Sequence, residues 1–161
     1  MELIARLLKP EHVLLDLDVS SKKRLFEQLA LCIEHQHSLP RTSVFDALFQ
    51  RERLGSTGLG KGCALPHGRL RGTRETFCLF ARARQGIPFE APDGLPVTLV
   101  FMVLAPEHAT EFHLRILSEV AQMLSDVELR ERLQVVEDPI EAHRLLTEWS
   151  PHGRRQRSAS I

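Results

Sequence analysis

The chain has 161 residues, of which 43% are hydrophobic and 26% are charged, a size and composition typical of one globular domain with its own core. Its 21 basic and 21 acidic residues cancel, so the overall charge does not favour binding to nucleic acid or to an anionic membrane. No apolar run is long enough to span a bilayer, and Cys32, Cys63 and Cys78 lack C-x-x-C spacing. We therefore expect a cytoplasmic protein that binds no nucleic acid and does not insert into a membrane.

The first half of the chain predicts one strand and two helices. The apolar run 13–17 is typical of a strand. It is followed by an amphipathic stretch that Ser20 or Ser21 can cap as a helix. A second amphipathic stretch begins after Pro40, and we expect this helix to end at Gly55.

The segment 55–68 reads GSTGLGKGCALPHG, and its five glycines predict a loop with a short strand at 63–65. The segment matches the first part of the phosphate-binding P-loop motif. However, Gly62 stands where that motif has the Ser or Thr that binds magnesium. A predicted helix also precedes the segment, whereas a strand precedes a P-loop. These two departures disfavour a nucleotide-binding site.

The second half of the chain predicts two strands followed by helices. The strands are residues 76–84 and 96–104, and the second, PVTLVFMVL, is expected at the centre of a sheet covered on both faces. Apolar residues then recur at helical spacing as far as Trp149. This order of elements predicts a layered α/β domain in residues 1–150. Residues 151–161, which include three arginines, are expected to form a disordered basic tail.

His67, which follows a proline at the end of the glycine-rich segment, is the candidate nucleophile of the chain. A neutral imidazole can form a covalent intermediate, and accepting a phosphoryl group requires positive charge and hydrogen-bond donors around it. Arg51 ends the helix before the segment, and Lys61 and Arg69 add charge nearby. His113, at the flank of an apolar helix stripe, could donate a hydrogen bond to the phosphoryl group. Neither a metal nor a cofactor is expected.

Other interpretations of the polar residues are weaker. Cys63 and His67, with Cys78 or His113, could form a zinc site, but no paired spacing supports four tetrahedral ligands. The other histidines considered are interpreted as surface residues; they are His12, His35, His37, His143 and His152. An apolar docking rim is expected around the site, and the candidates for it are Leu59, Ile87 and Phe89.

The composite pattern RERLGSTGLGKGCALPHG, followed by FHLRILSEVA, resembles the type-2 enzyme IIA domain of the phosphotransferase system, which mannitol and fructose transporters use. The GSTGLG stretch is most similar to the nitrogen-regulatory branch. The resemblance extends over roughly residues 3–149, which makes it far more specific than a lone glycine motif. It implies a three-layer α/β/α sandwich around a mixed sheet. Lys61 departs from the neutral residue, often asparagine, that the nitrogen-regulatory branch has at this position.

The resemblance also implies roles for particular residues. His67 corresponds to the phosphorylated histidine, Arg51 to the active-site arginine and His113 to the second active-site histidine. Phosphorylation would occur on Nε2, and a carbonyl or carboxylate would orient Nδ1–H. The residues expected to form the phosphoryl-binding loop are Ser56, Thr57, Gly58, Lys61 and Gly68.

The implied phosphoryl donor is an HPr-like phosphocarrier, charged by an enzyme I-like protein with phosphoenolpyruvate. Two functions remain open. As a regulator, the protein would bind a transporter, a sensor kinase or a metabolic enzyme according to its phosphorylation state. As a sugar-specific component, it would pass the phosphoryl group to a IIB domain. The GSTG stretch and the lack of a fused IIB or IIC segment in this sequence favour the regulator. A small anion-binding module is a third, weaker alternative.

Overall fold

The computed structural model describes residues 2–151. In this part of the chain there are six helices and six strands, and the order of elements begins and ends with a helix. The elements are α1 (Glu2–Leu7), β1 (Leu8–Leu17), α2 (Lys22–His37), α3 (Arg41–Glu52), β2 (Gly58–Gly60), β3 (Cys63–Ala64), β4 (His67–Leu70), β5 (Phe77–Ile87), β6 (Val97–Pro106), α4 (Thr110–Leu124), α5 (Val127–Val135) and α6 (Pro139–Thr147).

The strands form one mixed sheet in the order β1-β5-β6-β3-β2, and β4 also pairs with β6. β5 and β6 are antiparallel, whereas β1 runs parallel to β5 and both β3 and β4 run parallel to β6. The short strands β3 and β4 therefore lie in line along one edge of β6. The predicted central position of the strand at 96–104 is confirmed.

Helices cover both faces of the sheet, and the alternation of side chains along β6 shows why. Leu99, Phe101 and Val103 belong to a buried cluster with residues of α1, α4, α5 and α6. Val100, Met102 and Leu104 belong to a second cluster with residues of α2 and α3. A strand that is apolar on both faces thus requires two helical layers, and the predicted α/β sandwich is confirmed.

Several local predictions were wrong. Helix α1 was not predicted, and β1 begins at Leu8 rather than at residue 13. Helix α3 ends at Glu52 rather than at Gly55, because Leu54 N–H bonds to the carbonyl of Arg51 and Gly55 N–H to that of Glu52. These i to i+3 bonds form a turn and stop the helical ladder.

Some histidines predicted on the surface are buried. His12 is 1% exposed, and its Nδ1 lies 2.9 Å from Cys78 O. His143 is half-buried, with Nε2 2.8 Å from Leu8 O. His37 is half-buried against His12, whereas His35 is exposed as predicted. His152 lies outside the described residues.

The predicted basic tail, with Arg154, Arg155 and Arg157, also lies outside the described residues. Between residues 2 and 151, none of the helices combines the length and the hydrophobicity that crossing a membrane would require.

Candidate active site

His67 is the first residue of β4 and is half-buried. The strand is positioned by β6, because His67 pairs with Val103 and the Val103 N–H donates to Pro66 O at 3.0 Å. The proline therefore still accepts a sheet hydrogen bond although it lacks an N–H to donate. The imidazole is consequently carried by a strand that is bonded to the central strand β6, and not by a free loop.

The hydrogen bond of the His67 ring fixes its tautomer. Nδ1 lies 2.8 Å from Leu65 O, and because a carbonyl can only accept, Nδ1 must carry the proton. Burial, and then the positive charges of Arg51 and Arg69, lower the pKa of His67, against the opposing effects of the Leu65 bond and Glu52. The ring is therefore neutral at pH 7, with its lone pair on Nε2.

Gly68 brings helix α3 close to His67. A Cβ at Gly68 would lie 2.8 Å from Ala47 O, closer than real contacts allow. The absence of a side chain thus lets α3 pack directly on β4, and Arg51 lies one helical turn after Ala47 on the same face. Arg51 donates from Nη1 to Gly55 O at 2.9 Å. These contacts hold a guanidinium beside the His67 imidazole.

His113 enters the site from the first turn of α4, where its N–H bonds to Ala109 O. It is 3% exposed, and its ring centroid is 5.5 Å from that of His67. Burial, with smaller effects of His67 and Arg69, lowers the pKa of His113 to about 4. Its buried Nδ1 has no hydrogen-bond partner among the described residues. Such an atom is uncommon in a folded protein.

The side chains meet at a depression with a volume of about 390 Å³, which is ample for a phosphoryl group. Arg51, His67, Gly68 and His113 all line it. The structure therefore brings together the acceptor, the arginine and the second histidine that the sequence predicted. Their chemical roles stay predictions.

Arg69 also lines this depression, although sequence reasoning treated it only as a source of nearby charge. Its Nη1 donates to Thr110 Oγ1 at 3.0 Å and to Glu107 O at 3.3 Å. These bonds tie β4 to the start of α4, which carries His113. Its position directly after His67-Gly68 was the signal in the sequence, because residues two apart on a strand point to the same face.

The apolar rim of the depression differs from the predicted one. Leu54, which is 84% exposed, and Leu114, which is 58% exposed, both line it. The predicted rim residues Ile87 and Phe89 are buried in the core, and Leu59 lines a separate groove. The useful signal was proximity in sequence, since Leu54 follows Arg51 by three residues and Leu114 follows His113 directly.

Of the five residues predicted to form a phosphoryl-binding loop, only Gly68 lines the depression. The Thr57 hydroxyl is buried and donates to Glu52 Oε2 at 2.6 Å. The Ser56 hydroxyl donates to Phe89 O at 2.5 Å. Both hydroxyls are therefore committed to contacts that hold the segment in place.

Gly58 and Lys61 also stabilise the backbone of the glycine-rich segment. A Cβ at Gly58 would lie 2.8 Å from the Cβ of Ala91, so a larger residue would not fit. Lys61 adopts a left-handed φ of 56°, and its N–H donates to Asp93 Oδ2 at 2.7 Å. Its side chain lines the separate groove that contains Leu59. The glycine-rich segment thus shapes the β2–β3 hairpin, and the structure does not place these residues at the His67 depression.

The zinc alternative finds no support in the arrangement of side chains. Within residues 2–151, no three His, Cys, Asp or Glu side chains are grouped so that they could hold a metal ion. Burial raises the pKa of the Cys63 thiol to about 11 and that of the Cys78 thiol to about 12. Both thiols are protonated at neutral pH, whereas a metal ligand must be a thiolate.

Known proteins resemble this chain in both sequence and architecture. The family described as phosphoenolpyruvate-dependent sugar phosphotransferase system, EIIA 2, matches residues 6–149. A nitrogen regulatory protein of Bradyrhizobium diazoefficiens is 42% identical over 135 residues, which cover 84% of this chain and 88% of that protein. A nitrogen regulatory protein of Pseudomonas aeruginosa is 39% identical over 134 residues, which cover 81% and 86%.

The crystal structure of nitrogen regulatory protein IIA-Ntr from Neisseria meningitidis superposes with a TM-score of 0.85 and 46% sequence identity. The superposition covers 89% of this chain and 99% of that one. The resemblance found in the sequence is therefore confirmed, including its likeness to the nitrogen-regulatory branch. The chain belongs to the EIIA 2 family of the phosphoenolpyruvate-dependent sugar phosphotransferase system and is a phosphocarrier component of that kind.

Proposed function

We propose that the protein accepts a phosphoryl group on Nε2 of His67 from an HPr-like phosphocarrier, and that its phosphorylation state decides which target protein it binds. The observation that carries the first part is the hydrogen bond from Nδ1–H to Leu65 O. It leaves Nε2 as the unprotonated nitrogen of a neutral ring that lines an open depression.

The transfer exchanges one N–P bond for another. The Nε2 lone pair of His67 attacks the phosphorus of the donor's phosphohistidine while the donor's N–P bond breaks and its electron pair returns to the donor imidazole. His67 keeps its Nδ1 proton throughout, and Leu65 O stabilises the positive charge that the ring gains. Because such transfer depends mainly on in-line positioning and electrostatic stabilisation, no metal is required in this step.

The neighbouring side chains have distinct roles. Arg51 and Arg69 place two permanent positive charges beside the oxygens of the transferred group, and a guanidinium is well shaped to bind them. His113 supplies a hydrogen bond from its buried ring, which lines the depression. Leu54 and Leu114 form an exposed apolar rim on which a carrier protein can dock.

The direct test is intact-mass analysis after incubation with phosphoenolpyruvate, an enzyme I-like protein and an HPr-like protein. We expect one acid-labile phosphoryl group on the wild type and none on His67→Ala. His35→Ala is the matched control, because His35 is an exposed histidine of α2 and its loss should leave the adduct intact. A wild type without an adduct, in the presence of a demonstrably charged donor, would remove His67 as the acceptor.

The regulatory role is supported by the identity of 39–42% to nitrogen regulatory proteins. A phosphoryl group adds nearly two negative charges at neutral pH. Placed between Arg51 and Arg69 and inside the apolar rim, it would change both the charge and the shape of any interface formed there. The targets we propose are of the classes expected from the sequence: a transporter, a sensor kinase or a metabolic enzyme.

The sugar-specific alternative makes the opposite kinetic prediction. We expect a purified sugar-specific IIB domain to take phosphoryl from this protein slowly or not at all, whereas rapid transfer would favour the alternative. The anion-binding module predicts instead that inorganic phosphate binds with equal affinity to the wild type and to His67→Ala.

A further inference from the structure

Glu52 is a buried carboxylate that follows Arg51 at the end of α3, and it is 8% exposed. Its Oε1 accepts the Thr57 N–H at 3.1 Å, and its Oε2 accepts the Thr57 hydroxyl at 2.6 Å. Lys22 Nζ lies 2.8 Å from Oε1. A buried charge requires such compensation. The two bonds between Glu52 and Thr57, here called the Glu52–Thr57 clamp, also join the two ends of the turn 53–56.

We propose that Glu52 is the positioning residue that sets both His67 and Arg51 for phosphoryl transfer. The inference rests on the function proposed above. Glu52 touches neither the phosphoryl group nor the reacting nitrogen, and it acts through the backbone of the glycine-rich segment.

The path from Glu52 to His67 consists of consecutive hydrogen bonds. Glu52 holds Thr57, and the carbonyl of Thr57 accepts the Leu65 N–H at 3.0 Å. The carbonyl of Leu65 accepts His67 Nδ1–H at 2.8 Å. Each of these bonds fixes one backbone segment relative to the next, so the carboxylate places the Leu65 carbonyl beside His67. The Leu65 carbonyl, whose bond selects the reactive tautomer of His67, is therefore held in place through Glu52.

The path from Glu52 to Arg51 is shorter. Arg51 donates to the carbonyl of Gly55, and the Gly55 N–H donates to the carbonyl of Glu52 at 3.1 Å. Gly55 lies in the turn that the Glu52–Thr57 clamp closes. Loss of the Glu52–Thr57 clamp would therefore free the Gly55 carbonyl that accepts the hydrogen bond from Arg51.

Lys22 anchors this arrangement to the rest of the core. Its Nζ donates to Phe89 O at 3.2 Å and lies 4.5 Å from the centre of the Phe89 ring. Ser56 donates to the same carbonyl. The clamp therefore connects the start of α2, the end of α3 and the segment before β6, which fixes its position relative to the sheet.

The carboxylate also acts on His67 electrostatically, because its negative charge raises the pKa of His67 against the opposing charge of Arg51. A more basic Nε2 is a better nucleophile. This effect gives the inference a signature that a purely structural residue would not produce.

The experiment compares Glu52→Gln, Thr57→Val and Thr57→Ser with the wild type. Thr57→Val removes the hydroxyl that donates to Glu52, and Thr57→Ser keeps it. Asp46→Asn is the control, because Asp46 is an exposed carboxylate on the same helix. Nitrogen-15 NMR of the unphosphorylated proteins gives the tautomer and titration of His67. The rate of phosphoryl gain from a charged HPr-like protein gives its reactivity.

We expect Glu52→Gln to lower the pKa of His67, to mix its tautomers and to slow phosphoryl gain by roughly 10- to 100-fold, because a misplacement of about 1 Å can cost about 100-fold. Thr57→Val should slow the reaction, and Thr57→Ser should restore it. Asp46→Asn should match the wild type. Unchanged rates and unchanged His67 titration in both Glu52→Gln and Thr57→Val would overturn the inference.

Two further outcomes are distinguishable. If Glu52→Gln does not fold, the two Thr57 variants decide the question. If the wild type takes no phosphoryl group from a charged donor, the proposed function fails, whereas the NMR measurement still shows whether Glu52 sets the tautomer of His67.

Discussion

The buried His113 should make the protein sensitive to acid, and the size of the effect follows from its pKa. Burial lowers this pKa from the ordinary value of 6.5 to about 4 in the folded protein. Between these two pH values, the unfolded chain therefore binds a proton on His113 that the folded chain does not bind. The free energy of unfolding therefore keeps its full value above about pH 6.5 and falls as the pH decreases towards 4.

At about 1.4 kcal/mol for each pKa unit, the full loss is about 3 kcal/mol. This is a substantial part of the roughly 5–15 kcal/mol by which domains are stable. Burial also lowers the pKa of His12 and of His67, so their protonation should add to the loss. A substitution at His113 separates its share from theirs.

The assay is urea unfolding of the wild type and of His113→Gln, followed by the fluorescence of Trp149, the single tryptophan of the chain. Between about pH 7 and about pH 4.5, we expect the wild type to lose roughly 2–3 kcal/mol more than His113→Gln. His35→Gln, at an exposed site on α2, should follow the wild type. Parallel pH profiles for the wild type and His113→Gln would refute the reasoning, because they would mean that the folded protein protonates His113 without cost.

Two substitutions and a truncation test the supporting structure. Gly68→Ala should destabilise the domain by about 1–3 kcal/mol and slow phosphoryl gain, because its Cβ would meet Ala47 O at 2.8 Å; wild-type unfolding and kinetics would show that α3 can move away freely. Arg82→Met should cost about 2–4 kcal/mol, because the buried guanidinium donates to the carbonyls of Leu133 and Val136; a smaller loss in urea unfolding would show that water replaces it. A chain that ends at residue 150 should gain phosphoryl at the wild-type rate, and a slower reaction would assign the basic tail a role in donor binding.

Much of the fold could be predicted because its strongest patterns are local. The run at 96–104 is apolar on both faces, which only a central strand of a layered domain accommodates, and it became β6. His67 could be found because a proline, a histidine and a glycine-rich segment coincide in sequence. Arg51 and His113 were assigned through the family resemblance, and the structure brings them to the same depression.

What could not be predicted depends on contacts between distant parts of the chain. The burial of His12 requires the carbonyl of Cys78, 66 residues away. The burial of Phe89 is fixed by packing against Phe26. The hydroxyls of Ser56 and Thr57 have the chemistry of anion ligands in the sequence. Their partners inside the fold, however, decide that they hold the backbone instead.

His113 connects the stability of the domain with its proposed chemistry. An imidazole whose buried Nδ1 finds no hydrogen-bond partner in residues 2–151 costs free energy that an apolar side chain of similar size would not cost. The same burial keeps the ring neutral at pH 7, so that the ring adds no permanent charge against Arg51 and Arg69 before the phosphoryl group arrives. Once a dianion is bound to His67, whose ring centre is 5.5 Å away, its charge must raise the pKa of His113 and favour a hydrogen bond from this ring. A residue that weakens the unphosphorylated domain is thus placed where it can stabilise the phosphorylated one.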